Sequence, residues 1–147
     1  MWNSQPVKQQ ARPLHPRMLA DLESQIEKWL QADIIEVSDL AWASPLVPVK
    51  KKDGTIRWAV NYHQLNSVTV GDSYPSRSPN ELLDRLEPSD CFSTLDVSQA
   101  CHMIKIAEES KHLTAFTSLL GLFHFKAMAF GLLNAGARYS RYSECLE

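Results

Sequence analysis

The sequence predicts an α+β domain, and three features carry that expectation. An amphipathic helical period near the N-terminus gives way to two short runs of β-branched and aromatic residues around an Asp-Gly turn. Helices and strands then interleave without the βαβ rhythm of a doubly wound sheet. At 147 residues the chain can bury one core but not two independent ones.

Residues 1–15 are polar and Pro-containing, and are expected to form a flexible arm ahead of a folded domain over 16–147. From Pro16, the residues Met18, Leu22, Ile26, Trp29 and Leu30 fall three or four apart, which is one face of a helix with Pro16 in its first turn. "SPLVPVK" and "TIRWAVNY" read as strands, and the "KKDG" between them makes a hairpin with a basic tip. "SPNELLDRL" places Ser78 as N-cap, Pro79 at the first helical position and Glu81 three residues after the cap, a capping box opening a short helix. Phe92–Leu95, Met103–Ile106 and Leu113–Thr117 read as strands, and a fourth, Leu122–Ala127, follows a turn at Gly121. "NAGARYSRYSECLE" could begin a further helix.

The net charge of −2 and a pI near 6.2 exclude the overall basicity of an autonomous nucleic-acid binder, so any such role rests on a local patch. The three cysteines, Cys91, Cys101 and Cys145, have no C-x-x-C spacing, which suggests reduced thiols in an intracellular protein. The histidines are scattered, with no H-x-x-x-H pair. No apolar run reaches the roughly 18 residues of a membrane span, and the N-terminus lacks the apolar core of a signal peptide. A soluble cytoplasmic or nuclear protein with no membrane partner is the expectation.

Four stretches could carry chemistry. The hairpin tip sets Lys50, Lys51, Lys52 and Arg57 against Asp53 alone, which suits phosphate contacts and equally suits a solubilising surface turn. Asp96 ends the strand-like "FSTLD", where a carboxylate can hold a divalent cation or can cap the turn that follows. "HFKAMAFGLLNAGA" places Gly131 after an apolar run and Asn134 at a helix start, read most simply as strand, turn and N-cap. His63 and His102 stand alone and read as surface or packing residues.

Taken in order, "WASPLVPVKKKDGTIRWAVNYHQLNSVTVGDSYP" and "LLDRLEPSDCFSTLDVSQACHMIKIAEESKHLTAFTSLLGLFHFKAMAFGLLNA", with the helix before them, resemble the reverse transcriptase of gypsy-type long-terminal-repeat retrotransposons over about residues 12–147. The resemblance implies part of the fingers and palm of an RNA-directed DNA polymerase: an N-terminal helix, the β-hairpin as fingers and antiparallel palm strands. It implies that Asp96 is the first ligand of two catalytic Mg²⁺ ions. Arg57 would contact the triphosphate of the incoming nucleotide, with Lys51 beside it. Phe130 and Gly131 match the "P-F-G-L" stretch beside nucleotide and template, and Asn134 its "T-N-A-P" continuation. Lys50, Lys52 and Asn134 would lie against the RNA template or DNA primer.

Several positions depart from the family pattern. Asn61 and His63 stand in "V-N-Y-H" where the family has "V-D-Y-R", and Cys101 stands where the family has the aromatic that excludes the ribose 2′-hydroxyl. Ala129 and Gly136 replace prolines of the pattern. The Y-x-D-D pair, which completes the metal site in the family, is not in these residues. The expectation is a truncated fragment, inactive by itself because one carboxylate cannot hold two ions. Its partners would be RNA template and DNA primer, an intact polymerase or the missing half of the domain. Two rival expectations are a non-catalytic module binding RNA or an RNA–DNA hybrid, and a translated relic with an open strand edge.

Overall fold

The computed structural model describes residues 5–75, 80, 83–84, 90–94, 96–97 and 100–145. A 3₁₀ turn over Pro16–Met18 leads into α1, Leu19–Gln31. Leu22 and Ile26 are buried on one face, with Met18 and Trp29 packed beside them. Leu30, expected on the same face, lies on its rim and is 40% exposed. The helix ends as the i+5 and i+3 capping pattern requires: Ile34 N donates to Trp29 O at 2.9 Å and Asp33 N to Leu30 O at 3.1 Å. Asp33 takes the left-handed conformation between them, φ 56°.

The remaining strands are β1 (Ile35–Val37), β2 (Ser44–Lys50), β3 (Ile56–Val60), β4 (Phe116–Ser118) and β5 (Gly121–Phe125). They form one sheet in the order β1-β5-β4-β2-β3. β2 pairs antiparallel with β3 from Leu46↔Val60 to Lys50↔Ile56, which is the expected hairpin. β4 and β5 pair antiparallel, as do β1 and β5. The join between the two halves is parallel and short, Ser44↔Phe116 and Pro45↔Thr117. Further helices with described bounds are short or peripheral: α2 (His63–Val68), α3 (Glu108–Lys111) and α4 (Ala135–Glu144). α4 is the helix that the last residues could begin. The result is the α+β architecture the sequence predicts.

The core lies where α1 crosses the sheet. Phe116, fully buried, meets Phe125 at 5.2 Å and Phe123 at 5.8 Å between ring centroids, and Trp29 of α1 stands edge-on to Phe116 and Phe125 at 6.1 and 5.6 Å. Tyr62, 2% exposed, donates its hydroxyl to Thr114 O at 2.8 Å, and burial pushes its phenol pKa up, so it stays a donor. The Thr114 hydroxyl donates to Lys111 O at 2.7 Å and accepts from Phe125 N at 3.0 Å. The start of α2, the turn at 112–114 and the end of β5 are thereby tied at one buried point.

Three strand expectations change. The described residues Phe92–Thr94 are exposed and not in a strand, and Leu95 lies outside the described residues. Alternation alone does not make a strand; a ladder needs a neighbour to take its backbone groups, and no described strand pairs with 92–94. Met103–Ile106 is the end of a 3₁₀ turn, Ala100–Met103, followed by a single bridge, Lys105↔Ala127. Leu113–Thr117 begins as a 3₁₀ turn, His112–Thr114, because Thr114 spends its hydroxyl on Lys111 O, and the strand starts only at Phe116. The capping box at Ser78, Pro79 and Glu81 lies outside the described residues.

Residues 5–15 hold no helix or strand of their own, yet they are docked: Gln9 N donates to Ala43 O at 2.9 Å, Ala43 N donates to Val7 O at 2.8 Å, and Leu14 packs on the core. Among the described residues no helix is long and apolar enough to cross a membrane.

Tyr62→Phe should lower the unfolding free energy by about 1–2 kcal/mol, because it strands the buried Thr114 carbonyl. Leu22→Ala, at a fully buried position of α1, should cost about 2–5 kcal/mol. Urea denaturation followed by tryptophan fluorescence measures both, and a Tyr62→Phe variant as stable as the parent would mean that the tie at Thr114 carries no net stability.

Candidate functional site

The hairpin turn is built by its own residues. Gly54 N donates to Lys51 O at 3.1 Å and Lys51 N to Thr55 O at 2.8 Å, with Gly54 at φ 82°, a conformation that favours glycine. Asp53 accepts from both the backbone N and the hydroxyl of Thr55, at 2.9 and 2.6 Å. Those bonds hold its carboxyl below the usual carboxylate range, the hydroxyl being the larger cause. The one acid of the tip is therefore occupied locally, while Lys50, Lys51 and Lys52 are exposed.

β3 alternates as a half-buried strand does. Trp58 is buried and donates its indole N–H to Asp21 of α1 at 3.3 Å. Arg57, its neighbour, is exposed, and its guanidinium lies over the Phe130 ring, 4.7 Å from the centroid. His102 stands edge-on to the same ring at 5.4 Å and stacks over Phe125 at 6.3 Å. Burial lowers the His102 pKa, which keeps the imidazole uncharged at neutral pH on the ring it shares with Arg57. Cys101 is half-buried; burial pushes its thiol pKa up, against the opposing pull of the Arg57 charge. Lys51, Arg57, Phe130 and His102, with Gln25 and Trp29 of α1, line a cleft of about 420 Å³.

The structure thus gathers Arg57, Lys51 and Phe130 around one cleft, with Cys101 within the field of Arg57. Gly131 follows Phe130 at φ 90°, packed toward Val60 O and Tyr62, where a Cβ would stand 3.6 Å from that oxygen. Lys50 and Lys52 stay on the exposed tip. Asn134 occupies the N-cap position of α4, but its side chain does not cap that helix. It accepts from Asp72 N at 2.8 Å and donates to Val70 O at 2.9 Å. His102 is the packing residue that its solitary position suggested.

Asp96 is exposed and is not among the residues lining the cleft. Among the described residues no group of three or more His, Cys, Asp and Glu could hold a metal ion. The donors described here therefore do not by themselves fit a pair of Mg²⁺ ions.

Asn66 is the residue that sequence reading missed. Its amide donates to Gly131 O at 2.8 Å and accepts from Leu133 N at 2.9 Å. The available signal was weak: asparagine is a poor residue inside a helix and usually earns its place by bonding backbone elsewhere. Asn61, where the family pattern has an acid, accepts from His63 N at 3.1 Å and so opens α2.

The family described as reverse transcriptase (RNA-dependent DNA polymerase) matches residues 49–146. The chain is 31% identical over 144 residues to the Retrovirus-related Pol polyprotein from transposon 297 of Drosophila melanogaster, covering 95% of this chain and 14% of the polyprotein. It is 35% identical over 141 residues to that from transposon opus of the same organism, covering 92% of this chain and 14% of the polyprotein. The chain therefore spans about one seventh of the length of these relatives. In fold it resembles the foamy viral protease-reverse transcriptase in complex with RNA/DNA hybrid, with a TM-score of 0.81 at 17% identity, over 98% of this chain and 19% of that one. The family match over residues 49–146 and the 31% and 35% identity to these polyproteins show that the chain belongs to the reverse transcriptase (RNA-dependent DNA polymerase) family.

Proposed function

We propose that the chain is the fingers and first part of the palm of a retrotransposon reverse transcriptase of the gypsy type, and that its cleft takes the triphosphate of an incoming nucleotide. The observation that carries this is the convergence of Arg57 and Lys51 on one cleft, with the guanidinium set over Phe130. Phosphoryl transfer depends mostly on positioning and charge neutralisation, and a guanidinium held on a ring face is already placed to receive an anion. In this reading Phe130 and Gly131 border the nucleotide, Cys101 faces its sugar, and Lys50 and Lys52 meet the RNA template or DNA primer. Asn134 shapes the turn beside them. In this reading Asp96 contributes one carboxylate to a divalent-metal site whose other donors are not among the described residues, and the isolated 147 residues are expected to be inactive.

A second reading, a non-catalytic module that binds RNA or an RNA–DNA hybrid, is favoured by the tip itself. Four cations, Lys50, Lys51, Lys52 and Arg57, face one Asp53, a local excess of three on a chain of net charge −2. The foamy viral neighbour, described in complex with RNA/DNA hybrid, supports looking for this ligand.

Primer extension on an RNA template with Mg²⁺ or Mn²⁺ should give no product from the 147 residues. Template-dependent product that disappears in Asp96→Ala would overturn the inactivity of the isolated portion. Titration with a deoxynucleoside triphosphate, read by tryptophan quenching, should detect binding that Arg57→Ala weakens about tenfold or more, since charge-assisted bonds are lost. Affinity indifferent to Arg57 would remove the nucleotide reading. For the hybrid, binding should fall steeply with salt, and replacing Lys50, Lys51 and Lys52 by alanine should reduce the slope of log K against log salt by about 2–3. A slope unchanged by those replacements would remove the tip from the interface.

A further inference from the structure

Asn66 sits in α2, one short connection after β3, the strand that carries Arg57. Its side chain bridges 65 and 67 residues along the chain to bond Gly131 O and Leu133 N. A single amide thus satisfies one acceptor and one donor of the turn that follows Phe130. Asn134 crosses the same gap in the opposite direction, to Val70 O and Asp72 N. The segment after β3 and the turn at 130–134 are cross-tied by two amide side chains.

This tie fixes more than a loop. Phe130 is the residue before Gly131, and its ring, 41% exposed, is the surface on which the Arg57 guanidinium rests. Arg57 and Asn66 belong to consecutive elements, so the amide sets the spacing between the segment bearing the cation and the ring beneath it. A shift of the turn away from α2 would draw Phe130 from under Arg57 and release a side chain with several free torsions.

We propose that Asn66 is a positioning residue: through the turn at 130–133 it holds Phe130 under Arg57 and so presets the guanidinium for an anionic ligand. The ligand named in the test, a nucleoside triphosphate, rests on the reading of the cleft given above, whereas the geometry of the clamp does not.

The test reads the two separately on the 147-residue chain. A guanidinium over a ring face is shifted upfield, so the Arg57 Nε–H resonance reports the stack in the free protein. Phe130→Leu should abolish that shift and supplies its reference position. Asn66→Ala should move the resonance most of the way to the reference. Asn66→Asp, which keeps the acceptor for Leu133 N and loses the donor to Gly131 O, should move it part of the way, and it carries the test if the alanine variant fails to fold. A folded Asn66 variant with the parent shift would overturn the proposal. Titration with dGTP then checks the consequence: Asn66→Ala should weaken binding roughly threefold to tenfold, and should have no further effect once Arg57 is alanine. Equal losses with and without Arg57 would mean that Asn66 acts only on overall stability. If the parent chain does not bind dGTP while Asn66 variants still move the Arg57 resonance, the nucleotide reading fails and the clamp stands.

Discussion

The arrangement depends on the short parallel ladder that joins β2 to β4. Only Ser44 and Pro45 of β2 are paired with β4, while Leu46 to Lys50 pair with β3 alone. Proline lacks a backbone donor and is rarely found between two neighbours in a sheet. β2 nevertheless carries Pro45 and Pro48, and Pro45 contributes through its carbonyl, which accepts from Asn61 N at 2.9 Å. Ser44 N adds a bond to Ala115 O at 2.9 Å. Beyond that point the hairpin leaves the sheet as a two-stranded ribbon. A ribbon anchored at its base and free at its tip can bring Lys51 and Arg57 to the cleft while leaving Lys50 and Lys52 exposed on the tip.

Charge is distributed to match. The chain is acidic overall, yet among the described residues no Asp or Glu lines the cleft. On the β1–β5 side the acids are paired: Asp33 with Lys126 at 2.6 Å, Glu108 with Lys111 at 2.5 Å, and Glu36 with His124 at 2.8 Å. Such pairs at an exposed edge add little stability. The acids nearest the basic hairpin, Asp53 and Asp21, are each engaged locally, Asp53 by Thr55 and Asp21 by the Trp58 indole. His102, neutral through burial, adds no competing cation to the Phe130 ring.

How much of this was legible follows from the range of the forces involved. α1 and the hairpin could be read because their signals are local: a spacing of three and four at Leu22 and Ile26, and Asp53-Gly54 between two strand-like runs. The run at Phe92–Thr94 misled because its alternation was genuine while the neighbour it needs is not among the described strands. Thr114 started a turn inside a strand-like run because its hydroxyl found a carbonyl three residues back, which no alternation pattern encodes. Lys51 and Arg57 stood out as part of a basic hairpin tip and Phe130 only through family resemblance, and only the fold reveals that Arg57 stands on Phe130. Asn66 gave almost no signal, and Asn134 was read as an N-cap, because each acts on backbone more than 60 residues away.

The departures at positions 61, 101 and 129 can be judged by what the fold asks of them. Asn61 keeps an acceptor for His63 N, so losing the acid of the family pattern removes a charge and leaves the opening of α2 intact. Ala129 is 1% exposed in the core cluster, where a small side chain fits without a ring. Cys101 is the larger change. Burial pushes its thiol pKa up against the opposing pull of Arg57, which disfavours the thiolate and leaves a small, weakly polar surface. An aromatic face is still present beside Arg57, but it comes from Phe130 and is braced by His102. Arg57 therefore rests on a ring supplied by the turn at 130–133, and any shift in that turn is transmitted directly to the cation.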